Sequence, residues 1–315
     1  MIRSLPGRLS AGAVLLALLT FVVYVGVDLL PGDPVTSRLG PSTPPERIAE
    51  LRHHLGLDRP VLARYGEWVA GLFRGDLGIS ASGRPVTEML SDRVGNSALL
   101  AAMAVLLLAP LSLVLGLWAA WRRGRPADRV VSTGMLLLVS VPEFVVAGAL
   151  VLLFAVSLRM FPAVSLLPVG ASPLAYPEVL VLPVLSLLLV GLAYAVRVIR
   201  ASACAVLASP HVEFLRLGGA SGSTVLRRAV VPTVLPVAAQ VWLVTGVAFV
   251  GGAVLVEKVF GYPGIGELLV VSVQSGDLPV VQALVLILGA AMLAALVLAD
   301  LAVVLLTPRL RTGTR

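Results

Sequence analysis

Residues 281–299 read VQALVLILGAAMLAALVLA, a run from Val281 to Ala299 without one formal charge. A helix needs about 20 apolar residues to cross a bilayer's hydrocarbon core. This stretch meets that length, and so does the charge-free run Ala11–Val27 with its neighbours. The rest of the chain agrees. Of its 315 residues 58% are hydrophobic and only 13% charged, with a mean hydropathy of +0.99. An average soluble domain is roughly half apolar and about a quarter charged. A chain so short of polar groups cannot cover a globular surface, so its solvent is lipid. The expected fold class is an all-α integral membrane protein.

Outward from that run, about six spans are legible, near residues 9–30, 97–121, 130–157, 179–199, 233–256 and 280–306. The first follows Arg3 and Arg8 in the manner of a signal peptide. Its apolar run is longer than the roughly 7–15 residues of an h-region, and no A-x-A site follows. It ends in the turn Leu30-Pro31-Gly32-Asp33-Pro34 and is expected to stay as an uncleaved first helix.

Charge placement orients the spans. With the N-terminus inside, the inner segments carry fourteen arginines (among them Arg122, Arg123, Arg125, Arg200, Arg227 and Arg228) against Asp128 and Glu213. The two short outer loops carry Arg159 and Lys258 against four acids. The positive-inside rule then places both termini, including the tail 307–315, in the cytoplasm. The net charge of +7 therefore reflects topology. No basic helix with interleaved aromatics suggests nucleic-acid binding. Cys204 is the only cysteine, which excludes an internal disulfide, and reads as a small buried residue.

The long outer segment 31–96 holds eight basic and eight acidic residues and has helical signals. Thr43-Pro44-Pro45-Glu46 is a capping box with proline at the first helical position. Ile48, Leu51 and Leu55 share a face, and Gly56 ends that helix. A second stretch, Val61–Phe73, sets Leu62, Tyr65, Val69 and Phe73 on one side. These helices lie on the membrane's outer face or cap the mouth of the protein, or else form a small packed lobe without direct contact with solute.

The inner segment before the fifth span carries a different signal. Ser209 precedes Pro210 in a helix start, and Pro210–Leu217 is a two-turn helix stopped by Gly218-Gly219. A helix this short is marginal alone and needs packing against its own membrane helices or another protein. A second start follows at Ser221 or Ser223 and runs through Arg227 and Arg228 into a span with Pro232 and Pro236.

Glu213-Phe214-Leu215-x-x-x-Gly219, nine further residues, then Ala229-x-Val231-Pro232 resembles the E-A-A-x-x-x-G-x9-I-x-L-P loop of ABC-importer permeases. Glu213, Gly219 and Pro232 match; Phe214, Leu215, Ala229 and Val231 depart from the pattern. Further segments resemble the dipeptide, oligopeptide and nickel branch of that family. They are Leu30–Pro34, Gly56–Pro60, Gly75–Gly78, Arg84–Val86, Gly251–Val254, Glu257–Phe260, Tyr262–Gly266, Asp277–Gln282 and Pro308–Arg311, in the family's order.

The resemblance implies a permease core over 97–306 whose loop 209–232 couples it to separate ATPases. Glu213, Phe214, Leu215, Gly219, Val231 and Pro232 would be the contact residues. It also implies two ATPase subunits, a second and homologous permease, an extracytoplasmic solute-binding protein, and residence in a bacterial inner membrane. ATP and Mg would sit on the ATPases, with no cofactor on this chain. The residues agree: a P-loop needs Gly-Lys-Ser/Thr, and Lys258, the only lysine, lies in Glu-Lys-Val.

Asp28, Glu143 and Asp300 fall in or beside spans, where acids are costly and often functional. Asp28 and Asp300 lie close enough to the ends to reach an interface. Glu143 follows Pro142 within the third span. It is either a carboxylate lining the path of a cationic solute or a protonated or arginine-paired structural group. A proton-coupled carrier using Glu143 is the alternative function, and a non-transporting scaffold a further one. His53 and His54 are helical neighbours about 100° apart, poorly placed to share a metal. His211 reads as a surface contact. No HExxH, CxxC or GxSxG occurs, and a catalytic role is not expected.

Overall fold

A computed structural model describes residues 5–28, 44, 46, 59–168 and 170–306. The expected capping-box helix, with His53 and His54, lies outside the described residues except for Pro44 and Glu46. So do the tail 307–315 and the side chains of Asp28 and Asp300.

Among the described residues the regular structure is helical. The helices are α1 Leu5–Asp28, α2 Val61–Leu72, α3 Val86–Trp121, α4 Pro126–Ser140 and α5 Glu143–Leu150, the last running into a π-helical turn Val151–Ser157. A 3-10 turn, Pro173–Ala175, precedes α6 Pro177–Leu207. Then come α7 Pro210–Leu217, α8 Gly222–Val225, a π turn Leu226–Val230, α9 Val231–Phe260, α10 Ile265–Ser275 and α11 Leu278–Leu306.

Among the described residues, four helical runs are long and apolar enough to cross a membrane: α3, α6, the continuous run Gly222–Phe260, and Leu278–Ala299 of α11. The pair α4 and α5 makes a fifth if it is one broken span. The first expected span corresponds to α1, whose apolar part Ser10–Gly26 is shorter. The expected third span, 130–157, is thus not one rod but two helices meeting at 108°. Proline disfavours helical geometry in the residue before it. Val141 accordingly turns extended (φ −93°, ψ 128°), and a new helix starts behind Pro142.

The chain falls into two compact units, Met1–Ser97 with Pro263–Leu293, and Ala98–Tyr262 with Ala294–Arg315.

In the first unit, α2 packs on α1 through rings. Tyr65 meets Phe21 and Tyr24 edge-on at 5.3 and 5.4 Å, and its hydroxyl donates to the Ala17 carbonyl at 3.1 Å. That cluster fixes the rotation of α2. Arg64 is buried and Tyr65, Trp68 and Val69 half-buried, while Leu62 and Phe73 stand exposed. The expected stripe Leu62, Tyr65, Val69, Phe73 therefore holds only at its two middle positions. A second cluster joins Val86 and Leu90 of α3 to Leu268 of α10 and Val280 and Leu284 of α11.

In the second unit α6 is the enclosed helix: 72% of its apolar window is buried, against 22% for α3. Lipid tails are as apolar as leucine, so packing between such helices depends on close approach of small residues. A Cβ on Gly191 of α6 would lie 2.5 Å from Phe249 Cζ of α9, and one on Gly116 of α3 would lie 2.6 Å from Ile199 Cγ2 of α6. Trp242 of α9 donates its indole hydrogen to the Ser112 hydroxyl of α3 at 2.8 Å.

Candidate functional site

The loop Ser209–Pro232 is built around α7. Its N-cap backbone carbonyl, from Ser209, accepts from the Val212 and Glu213 amides at 3.0 and 3.2 Å. The Ser209 hydroxyl does not cap the helix; it donates back to the Val206 carbonyl at 2.7 Å and ties α7 to the end of α6. The C-terminal end closes with two reciprocal bonds. The Ala220 amide donates to the Leu215 carbonyl and the Gly219 amide to the Arg216 carbonyl, both at 3.0 Å. This pair defines a Schellman motif, which needs a left-handed residue after the helix. Gly219 supplies it with φ +77°. Nothing lies within 4 Å of a Cβ built there, so backbone conformation and not space demands glycine.

The two faces of α7 have opposite tasks. Val212 is fully buried, and Leu215 packs beside it against Ile199, Ala203, Val225 and Ala229. Phe214 and Leu217, one turn apart on the other face, are 74% and 82% exposed. Glu213 between the two faces is also exposed, and no ion pair joins it to a described residue. Ser221, not Ser223, caps the next helix, accepting from the Thr224 amide at 3.3 Å. The π turn Leu226–Val230 then leads to Val231 and Pro232. Proline offers no amide hydrogen, and the wider turn before it accommodates that loss. Thr233 adds a bond from its hydroxyl to the Ala229 carbonyl at 2.8 Å.

An ion pair between α6 and α4 escaped the sequence reading. Arg200, near the end of α6, donates through Nε and Nη2 to the two carboxylate oxygens of Asp128 at 2.6 and 2.7 Å. The Gly124 amide and Ser132 hydroxyl also donate to Asp128, at 3.0 and 3.3 Å. Asp128 is 2% exposed. Bidentate geometry and satisfied oxygens are the conditions under which a buried pair holds. The available signal was a lone acid in the first turn of α4 among Arg122, Arg123, Arg125 and Arg129.

Glu143 is the first residue of α5, at a helix N-terminus, where backbone dipoles favour a carboxylate. It is half-buried against α9: a Cβ on Gly252 would lie 2.7 Å from Glu143 Oε2. No arginine pairs with it among the described residues. Gly252 belongs to the Gly251–Val254 segment noted in the sequence, and its missing side chain makes the space that the carboxylate occupies. Among the described residues no cluster of three His, Cys, Asp or Glu could hold a metal.

Two other sequence segments acquire structural reasons within the first unit. Pro263–Gly266 is held by the start of α3. Asn96 donates to the Pro263 carbonyl at 2.9 Å, Arg93 pairs with Glu267 at 2.7 Å, and the Ile265 amide donates to the Ser97 hydroxyl at 2.9 Å. Asp277 is buried and accepts from the Ser80 hydroxyl and, at 3.0 Å, from the Ala81 amide, which fixes the loop before α3.

Comparison with known proteins agrees with these features. Residues 112–312 match the family described as binding-protein-dependent transport system inner membrane component, and residues 1–88 match the N-terminal part of such membrane components. The oligopeptide transport system permease protein OppB of Mycobacterium tuberculosis (strain H37Rv) is 34% identical over 326 residues, covering 99% of this chain and 100% of its own. A Brucella abortus (strain 2308) protein named for a peptide transport system permease is 35% identical over 301 residues, covering 94% of each chain. The chain belongs to the binding-protein-dependent transport system inner membrane component family. It is a non-catalytic, multi-pass inner-membrane permease subunit of an ABC importer, a class that works with a solute-binding protein and ATPase partners.

Proposed function

We propose that this permease imports peptides or similar small solutes, and that Ser209–Pro232 receives the stroke of the ATPases. The cargo reading is supported by the names of the relatives, which are peptide and oligopeptide permeases. The coupling reading is supported by α7. An exposed apolar pair, Phe214 and Leu217, stands on a helix anchored from behind by Val212 and Leu215 and locked at its end by Gly219. A helix so held moves as a rigid knob: a partner that pushes it also pushes the ends of α6 and α9. In the proposed assembly each of two ATPases grips one such knob, one on this chain and one on a homologous second permease. Glu213 offers a charge for an ATPase arginine, and Val231 and Pro232 carry the motion into α9.

The fourteen inner arginines support placing α7 and both termini in the cytoplasm. Glu143 is proposed to line the path, its unpaired carboxylate meeting a cationic group such as a peptide's amino terminus. The observation that carries the whole reading is the exposed Phe214–Leu217 face on an anchored, capped helix. The deciding experiment reconstitutes the chain with its ATPases, partner permease and binding protein in proteoliposomes, and follows a labelled tripeptide and a labelled pentapeptide. Uptake that requires both ATP and the binding protein is expected. Binding-protein-dependent transport of a non-peptide solute with neither peptide moved would remove the cargo assignment. Normal coupling in a Phe214→Ala, Leu217→Ala variant would remove the assignment of the loop.

A further inference from the structure

A groove opens in the second unit beside the loop, between the last turns of α3 and the start of the Gly222–Phe260 run. Val114, Leu117, Trp118, Trp121, Gly222 and Leu226 line its apolar walls, and its volume is about 480 Å³. Gly222 sets its depth, since a Cβ there would stand 2.9 Å from Trp121 Cζ2. Val114 and both tryptophans are exposed, so the groove faces outward.

A cation stands at its rim. The Arg122 guanidinium lies over the Trp118 ring, 4.9 Å from its centroid. Arg123 follows Arg122, and Arg227 and Arg228 follow the lining residue Leu226; all four are exposed. The described ion pairs join Arg59 to Glu67, Arg93 to Glu267 and Arg200 to Asp128. None of these four arginines has a carboxylate partner among the described residues.

We propose that this groove binds an anionic phospholipid, with an acyl chain between Trp118, Trp121 and Leu226 and the phosphate held by Arg122 with help from the arginines next to it in sequence. The chain resides in a membrane, so the ligand is at hand in the plane of the groove. Apolar walls alone would accept any lipid tail. The unmatched charge selects the headgroup, because guanidinium forks match phosphate oxygens two at a time. A zwitterionic lipid carries its own ammonium and gains less from the rim. A helix from another protein would fill the groove and still leave Arg122 beside it to be matched. The proposal rests on inner-membrane residence and not on the coupling role of the loop.

The test uses indole quenching in nanodiscs by phospholipids brominated on their acyl chains. The purified full chain is compared in phosphatidylcholine discs containing an equal share of brominated phosphatidylglycerol or brominated phosphatidylcholine. Stronger quenching by phosphatidylglycerol is expected. Juxtamembrane arginines contribute about 1 kcal/mol each toward an anionic surface, so Arg122→Gln should weaken the preference roughly fivefold. Val114→Phe narrows the groove from the α3 wall and should reduce quenching by both lipids. The assembled transporter is measured as its difference from the Trp121→Phe form, and the preference should persist there. Equal quenching by the two lipids, a preference unchanged by Arg122→Gln, quenching unchanged by Val114→Phe, or loss of the preference on assembly because a protein covers the groove would each overturn the proposal.

Discussion

At the scale of single residues, three positions carry separable consequences. Gly219 sits at φ +77° in open space. A β-branched side chain in that conformation costs about 1–2 kcal/mol, whereas asparagine tolerates it. Gly219→Val should therefore lose ATP-driven uptake in vesicles while the chain still inserts, and Gly219→Asn should keep most of it. Equal uptake by the two variants would mean that the turn is not needed for coupling. Asp128 and Arg200 form a pair with one member almost wholly enclosed. Removing one partner of such a pair costs about 3 kcal/mol, so Asp128→Asn should lower the thermal unfolding midpoint of the purified chain. The double change Asp128→Asn, Arg200→Gln should cost less than the two single costs combined. Additive losses would show that the pair is not coupled. Glu143→Gln removes a charge but little volume. If its carboxylate meets a cationic solute, KM for a peptide with a free amino terminus should rise roughly tenfold, while an amino-acetylated peptide changes little. Equal effects on both peptides would make Glu143 a structural residue.

At the scale of elements, α7 was readable almost to the residue. Proline at its first position and paired glycines at its end are strong local punctuation, and the structure places the helix at Pro210–Leu217 as expected. What the sequence withheld was its rotation. The pattern Val-Glu-Phe-Leu-Arg-Leu holds four apolar residues, and only packing against α6 and α9 decides that Val212 and Leu215 turn inward. The outward pair gives the prediction for this scale. Phe214→Ala should weaken ATPase binding to the reconstituted permease by about 2 kcal/mol, roughly thirtyfold in Kd. An unchanged Kd by titration would leave α7 outside the interface. The same limit explains α10. Its eleven residues are too short to signal a span, and the bonds from Arg93, Asn96 and Ser97 that fix its approach come from far along the chain. Proline at position 142 announced a bend, but local chemistry gives no angle, and a break of 108° emerges from what α4 and α5 each pack against. On α2, aromatic contacts with α1 rotated the expected stripe because Tyr65 outcompetes Leu62 and Phe73 for buried space.

At the scale of the whole molecule, composition and apolar run length were enough for the fold class, because lipid imposes one rule on every backbone group: satisfy it within the helix. Side-chain networks such as Asp128–Arg200 left almost no trace, since no periodicity links residues so distant in sequence. The topology itself is open to test. In a Cys204→Ser background, Leu166→Cys and His211→Cys each place one thiol on an exposed position. A membrane-impermeant maleimide added to right-side-out vesicles should label position 166 and spare 211. Labelling at 211 would put α7 on the wrong side for any ATPase. The anchored knob of α7 also bears on how the cell must make this protein. On the proposed topology, Phe214 and Leu217 held rigidly on α7 cannot fold away to hide themselves, so a surplus copy lacking its companions would display a permanent adhesive spot. Synthesis in step with those companions would keep such orphans scarce.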